Sequence, residues 1–158
     1  MSRNLWSAGM FLCFLLLTPL HSGAQDVLAD HRIRGLRGLH SVVLVSQPND
    51  ERQIVNMKEL DDFTTVLLGR DIRELKIART LEDTPNWLQT TYIITDRCGT
   101  IQLAVLRWVR LLGTNTEMMA KIWSDERALI GPVTLTQIKK AHEDLLMSFA
   151  ADYIRANR

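Results

Sequence analysis

The sequence predicts an α+β domain: a two-layer sandwich in which two amphipathic helices lie on a largely antiparallel sheet of four to five strands, in the order β-α-β-β-β-β-α. Three observations carry this expectation. Residues 57–67 and 135–153 repeat apolar side chains at spacings of three and four, each stretch behind a capping residue. "SVVLV" (41–45) is a continuous, β-branched run closed by "QPND", the pattern of a strand buried on both sides. Residues 88–124 break into β-rich runs separated by short clusters of turn residues, as a meander requires.

The run 41–45 is the best candidate for the centre of the sheet. Asn56 then offers a side-chain acceptor to the free N–H groups of a first helical turn, with Glu59 three positions on. Met57, Leu60, Phe63 and Leu67 make the apolar stripe, Asp61 and Asp62 face away from it, and Gly69 fits the left-handed position just past the helix end. "IRELKIA" (72–78) alternates as an edge-type strand, and "TLEDTP" (80–85) is a loop. The runs 88–95 and 100–112 are joined by Asp96-Arg97-Cys98-Gly99, which matches a type I turn closing a three-residue hairpin with a left-handed glycine. That turn pairs Asp96 with Thr100 and Thr95 with Ile101, and points Cys98 into solvent. The second run is long for a strand, so a bend or bulge is expected in it. "GTNT" (113–116) turns the chain into a last strand at 117–124. Thr134 with Gln137 forms a capping box, and Leu135, Ile138, Leu145, Phe149 and Tyr153 share one face of a closing helix over 134–156.

The chain has 158 residues, 46% of them hydrophobic and 23% charged, which suits one domain. Its first residues read as a signal peptide. Arg3 is a positive n-region, "MFLCFLLL" (10–17) an apolar h-region, and Ser22 and Ala24 are small residues at the peptidase positions. Cleavage is expected between Ala24 and Gln25. The apolar stretch from Leu5 to Leu17 is shorter than the roughly 20 residues a membrane span needs, which argues against a retained anchor. "MFL" before Cys13 lacks the small residue of a lipoprotein signal. The expected organisation is therefore 1–24 signal peptide, 25–38 leader and 39–158 a single α+β domain, in a periplasmic or secreted protein.

Removing residues 1–24 takes away Arg3 and no acidic residue, so the formal charge falls from +1 to zero. Nucleic-acid binding, which needs concentrated positive charge, is not indicated. Arg32, Arg34 and Arg37 in "HRIRGLR" are a local exception. They read as a solvated leader or as a peripheral contact with anionic lipid headgroups or an acidic partner.

Catalysis needs an activated nucleophile, an acid–base pair or a metal. His31, His40 and His142 show no metal-ligand spacing, and His142 falls inside the last helix's apolar stripe, where a histidine is a packed residue with a satisfied nitrogen. The adjacent pairs Asp61-Asp62 and Asp125-Glu126 diverge rather than converge on one bond. No serine lies in a nucleophile elbow, and the "GLRGLH" glycines precede a strand rather than a helix. Cys98 has only Arg97 beside it to stabilise a thiolate. No catalytic, cofactor or metal site is expected, and the chain reads as a non-enzyme.

What the sequence does show is a surface signal. Gln102, Ala104, Leu106, Trp108 and Arg110 share one face of the long strand, Arg107 interrupts the other, and Trp123 lies in the last strand. Arg107, Trp108, Arg110 and Trp123 are the candidate interaction residues, since Trp and Arg anchor interfaces. The alternative is that both tryptophans cap the helix–sheet core.

"LRGLHSVVLV" (36–45), "IWSDERALIG" (122–131) and the terminal "FAADYIRAN" (149–157) together resemble a family of small exported bacterial proteins of unknown function. The resemblance spans most of the chain after residue 24 and brings no catalytic residue with it. It departs in "LLGRDIRELKIART" (67–80), where glycine and an apolar residue usually lead the second strand. More loosely, helix-on-sheet domains of this size resemble periplasmic parts of envelope-assembly machinery. The expected function is an exported, non-enzymatic domain that contacts a protein or envelope partner. The rival expectation is a carrier of a small apolar ligand in a pocket lined by Trp108, Phe149 and Tyr153.

Overall fold

A computed structural model describes residues 31–158, and the expected signal peptide lies outside the described residues. Strand β1 (Ser41–Asp50) is followed by helix α1 (Met57–Asp71), strands β2 (Lys76–Ala78), β3 (Asn86–Ile94), β4 (Cys98–Arg110) and β5 (Glu117–Ile130), and helix α2 (Leu135–Asn157). The α+β sandwich and its element order are as the sequence predicts. The sheet is mixed rather than largely antiparallel. Its order is β2-β1-β3-β4-β5, with β1 parallel to both of its neighbours and β3-β4-β5 antiparallel. The reason lies in the connections. A helix between β1 and β2 makes a crossover, which returns the chain in the same direction, whereas short turns can only build antiparallel pairs. β1 therefore sits second from one edge, and β3 takes the centre.

The helix ends follow the sequence. Asn56 accepts from the Glu59 N–H at 3.3 Å, and Thr134 with Gln137 forms a complete capping box. Gly69 is inside α1, not beyond it. The helix runs on to Asp71 because Ile72, 3% exposed, is drawn into the core and closes the last turn by donating its N–H to Leu68 O at 2.7 Å. This shortens the predicted strand 72–78 to Lys76–Ala78.

The leader is part of the domain from residue 31 onward, which corrects the boundary expected at 38. Residues 31–35 are helical, Leu36 and Leu39 are wholly buried, and Asn157 at the end of α2 accepts from the Gly38 N–H and donates to Leu36 O. Burial of those two leucines outweighs the polar composition around them.

The hairpin between β3 and β4 is tighter than predicted. Thr95 donates its N–H to Cys98 O at 2.9 Å, and Ile94 faces Gly99, so Asp96 and Arg97 alone make the turn. Gly99 is not in the left-handed region. It is a glycine because a Cβ there would lie 2.8 Å from Ile94 Cδ1 and 3.3 Å from Val133 Cγ2. Cys98 is exposed, with Thr95 Oγ1 at 3.4 Å from its sulfur. Cys98→Ser is expected to shift the denaturation midpoint by less than about 0.5 kcal/mol, as for other exposed positions. A larger loss would show that the thiol holds the turn.

The irregularity expected in the long strand is present, on its partner. The register shifts between Val105 and Leu106 because β5 carries one extra residue, Ile122. β5 also runs six residues past its predicted end, to Ile130. Polar residues in that extension are tolerated because β5 is an edge strand with one face in water.

Candidate interaction surface

Alternation along the strands sorts the sheet into two faces. Leu88, Tyr92, Ile94, Ile101, Leu103 and Val105 point to one face, join the helices in a single core, and are all close to fully buried. Trp87, Leu106, Trp108 and Met119 point to the other. Trp87 lies opposite Leu106, and Trp108 opposite Met119. Trp108 is 49% exposed. Just beyond it, the β4–β5 turn presents Leu111 and Leu112, both exposed and Leu112 wholly so, while Met118 in β5, also exposed, faces Val109 on the helix side of the sheet.

The structure separates the four candidate residues. Trp108 and Arg110 are on the surface, Arg110 bonded to Glu117 at 2.7 Å. Arg107 is half-buried and structural, because its Nε donates to Asn86 Oδ1 at 2.7 Å, and Asn86 in turn donates to Ser41 O. Trp123 is a correction. At 2% exposure it is a core residue, edge-on to Phe149 at 5.2 Å between ring centroids. The extra residue at Ile122 causes this. It shifts the alternation, so Met119 and Lys121 face outward while Trp123 turns in against Val105.

Trp123 anchors a charged cluster that sequence reasoning missed. Asp152, 8% exposed, accepts from Trp123 Nε1 at 3.0 Å and Arg32 Nε at 2.8 Å, and the Arg32 guanidinium stacks 4.9 Å from the centre of the Trp123 ring. Arg32 also donates to Ser148 Oγ at 3.0 Å. Burial alone would raise the Asp125 carboxyl above its usual range, but hydrogen bonds from Ser148, Arg127 and the Glu126 backbone outweigh it and hold it low. The available signal was an aspartate inside the apolar stripe of α2, between Phe149 and Ala156. Of the three leader arginines, Arg32 is therefore committed to the fold, while Arg34 and Arg37 are at the surface.

His142 is a packed residue, with both nitrogens satisfied. Thr64 donates its hydroxyl to Leu60 O at 2.8 Å, so it accepts from His142 Nε2 at 2.7 Å. Nε2 then carries the proton, and Nδ1 accepts from the Tyr92 hydroxyl at 3.1 Å. Burial lowers the His142 pKa to about 4 and raises that of Tyr92. Such a chain holds one neutral tautomer and has no exposed end at which to work.

Every buried side-chain nitrogen and oxygen among the described residues has a partner, and no three His, Cys, Asp or Glu among them converge as metal ligands. No described helix is long and apolar enough to cross a membrane. Trp108 lies on the opposite face from Phe149 and Tyr153, so the three line no common pocket. A cleft of about 390 Å³ between the C-terminal ends of the two helices is lined by Arg70, Arg73, Glu74 and Arg158, with Arg70 closed onto Asp71.

No family model and no curated protein matches the chain. Among solved structures it is similar to the PelC dodecamer of Paraburkholderia phytofirmans in two crystal forms. The identities are 12% and 11%, over 77% of this chain and 90% of that one, at TM-scores of 0.46 and 0.44. It is also similar to the rare lipoprotein B of Shewanella oneidensis, at 18% identity over 72% of this chain and 97% of that one, with a TM-score of 0.25. These are distant likenesses, and no residue or role is transferred from them.

Proposed function

We propose that the chain is an exported, non-enzymatic protein that works by contacting a protein partner in the cell envelope through the turn end of its β4–β5 hairpin. The observation that carries this reading is the grouping of Trp108, Leu111 and Leu112, exposed together at one end of the domain, with Met118 exposed on the reverse side of the same end. Exposed apolar side chains scattered singly are ordinary, whereas several adjacent ones rimmed by charge mark a contact surface. Arg110, Glu117 and Lys121 provide that rim. The export part of the reading rests on Arg3, the apolar run 10–17 and the small residues Ser22 and Ala24. Intact-mass measurement of the protein released by its native host is expected to place the N-terminus at Gln25, and a mass that includes residues 1–24 would remove that part.

The contact itself is tested by Leu112→Asp and Arg110→Ala. Both positions are exposed, so the denaturation midpoint is expected to move by less than about 0.5 kcal/mol while cross-linked partner recovered from the native envelope falls severalfold. Unchanged recovery in both variants would contradict the reading.

A further inference from the structure

We propose that the free edge of β5 from Glu117 to Lys121 pairs antiparallel with the same stretch of a second copy of this chain, about a two-fold axis through Met119. This deepens the reading above by naming one partner of the same hairpin, and it shares with that reading only the location of the contact.

The backbone directions come first. Trp108 donates its N–H to Pro85 O at 3.2 Å, toward the β3 side of β4, and Leu111 donates to Thr116 O at 3.0 Å, toward β5. In an antiparallel ladder the polar groups of successive residues point to alternate sides. Arg107 and Val109 therefore bond Ala120 and Met118, the residues they face. Glu117, Met119 and Lys121 are left aiming N–H and C=O away from β4. β5 is the last strand of the sheet, and no hydrogen bond from a described residue meets those groups.

Two points further along the same edge are closed by the chain itself. At Ile122 the strand bulges, and Gly35 lies so near that a Cβ there would sit 2.3 Å from Ile122 O. Glu126 also points outward, but its N–H is taken by Asp125 Oδ1 at 2.9 Å and its carbonyl by Arg127 Nη1 at 2.8 Å. Bulges, covering segments and side-chain caps are how edge strands are kept from pairing. Here they stop at Ile122. Among the described residues, none hydrogen-bonds to the outward backbone of the five before it.

Those five residues, "EMMAK", are complementary to themselves. Antiparallel pairing centred on Met119 sets Glu117 opposite the partner's Lys121, Met118 opposite the partner's Ala120, and Met119 opposite its own counterpart. Glu117, Met119 and Lys121 face one another as hydrogen-bonded pairs, two backbone bonds to each pair. Lys121 has no acidic partner among the described residues, and Glu117 would then lie between Arg110 and the partner's Lys121. On the outward face, Trp108 and Met119 would meet their counterparts in one apolar row across the axis. The same operation centred on Glu126 or Arg127 would set like charges against each other. The pairing joins two five-stranded sheets into one, with the helices of both copies on the same side.

Sedimentation velocity of the full-length exported protein is expected to give twice the chain mass. Lys121→Glu, an exposed change that leaves the fold intact, is expected to weaken the dimer about tenfold or more by setting Glu117 against a second carboxylate. Adding Glu117→Lys to it is expected to restore the dimer. In a Cys98→Ser background, Met119→Cys is expected to form an interchain disulfide on oxidation, since facing hydrogen-bonded residues lie about 5.5 Å apart, whereas Met118→Cys is not. A monomer at the highest soluble concentration, a dimer indifferent to Lys121→Glu, or no restoration by the double swap would overturn the proposal. A monomer that still loses its envelope partner in Leu112→Asp would leave the functional reading standing without it.

Discussion

Phe149→Ala is expected to cost about 3–5 kcal/mol of folding stability, the range for deleting a buried aromatic ring and leaving a cavity behind. The ring is wholly buried, set edge-on to Trp123 at 5.2 Å and tilted against Tyr153 at 6.1 Å. Its loss leaves Trp123 without a neighbour on one side, at the point where Trp123 also donates to Asp152. The charged cluster of Arg32, Asp125 and Asp152 is anchored to the core there, so relaxation into the cavity is opposed by several hydrogen bonds. Phe149→Leu, which keeps most of the volume, is expected to cost less than about 1.5 kcal/mol. Denaturant midpoints measure both, and an unchanged midpoint in Phe149→Ala would place the stripe of α2 in solvent.

The second large effect is a pH dependence. His142 has a folded pKa of about 4, against about 6.5 in an unfolded chain. Its depressed folded value means that the unfolded state binds the proton more readily, so stability rises with pH across this window. The contribution is complete above about pH 6.5 and is lost as pH falls toward 4, amounting to roughly 3 kcal/mol. The cause is burial of the ring, and the hydrogen bonds around it act in the same direction. Thr64 Oγ1 uses its proton on Leu60 O, and a protonated Nδ1 would face the Tyr92 hydroxyl as donor against donor until that hydroxyl turned away. His142→Gln removes the titration, so its stability is expected to fall less steeply than that of the native protein between pH 7 and pH 4.5. Equal slopes would show that carboxylates elsewhere carry the whole acid sensitivity.

The elements most legible in the sequence were those with local causes. Asn56 and Thr134 mark the helix starts because a capping side chain acts within three residues of itself, and the stripes of α1 and α2 need only a period. The sheet order was hidden, because the parallel placement of β1 against β3 depends on where the chain passes after β2. Gly99 misled for a different reason. Glycine serves either a left-handed turn or a close approach, and only the position of Ile94 and Val133 decides between them. At the surface, Trp108 and Arg110 were readable because β4 alternates without interruption. Trp123 was not, because one extra residue at Ile122 reverses the facing of everything after it. Asp152 was visible in the stripe of α2, but its partners Arg32 and Trp123 lie 120 and 29 residues away in the chain.

The contact proposed above at the β4–β5 end of the sheet can be trapped in the cell. A photo-crosslinking residue placed at Leu112, in cells of the native host, tests it most directly, with the same residue at Met147 on the exposed side of α2 as the control. A discrete protein adduct is expected from position 112 and none from position 147. No adduct at 112, or the same adducts from both positions, would contradict the proposed contact.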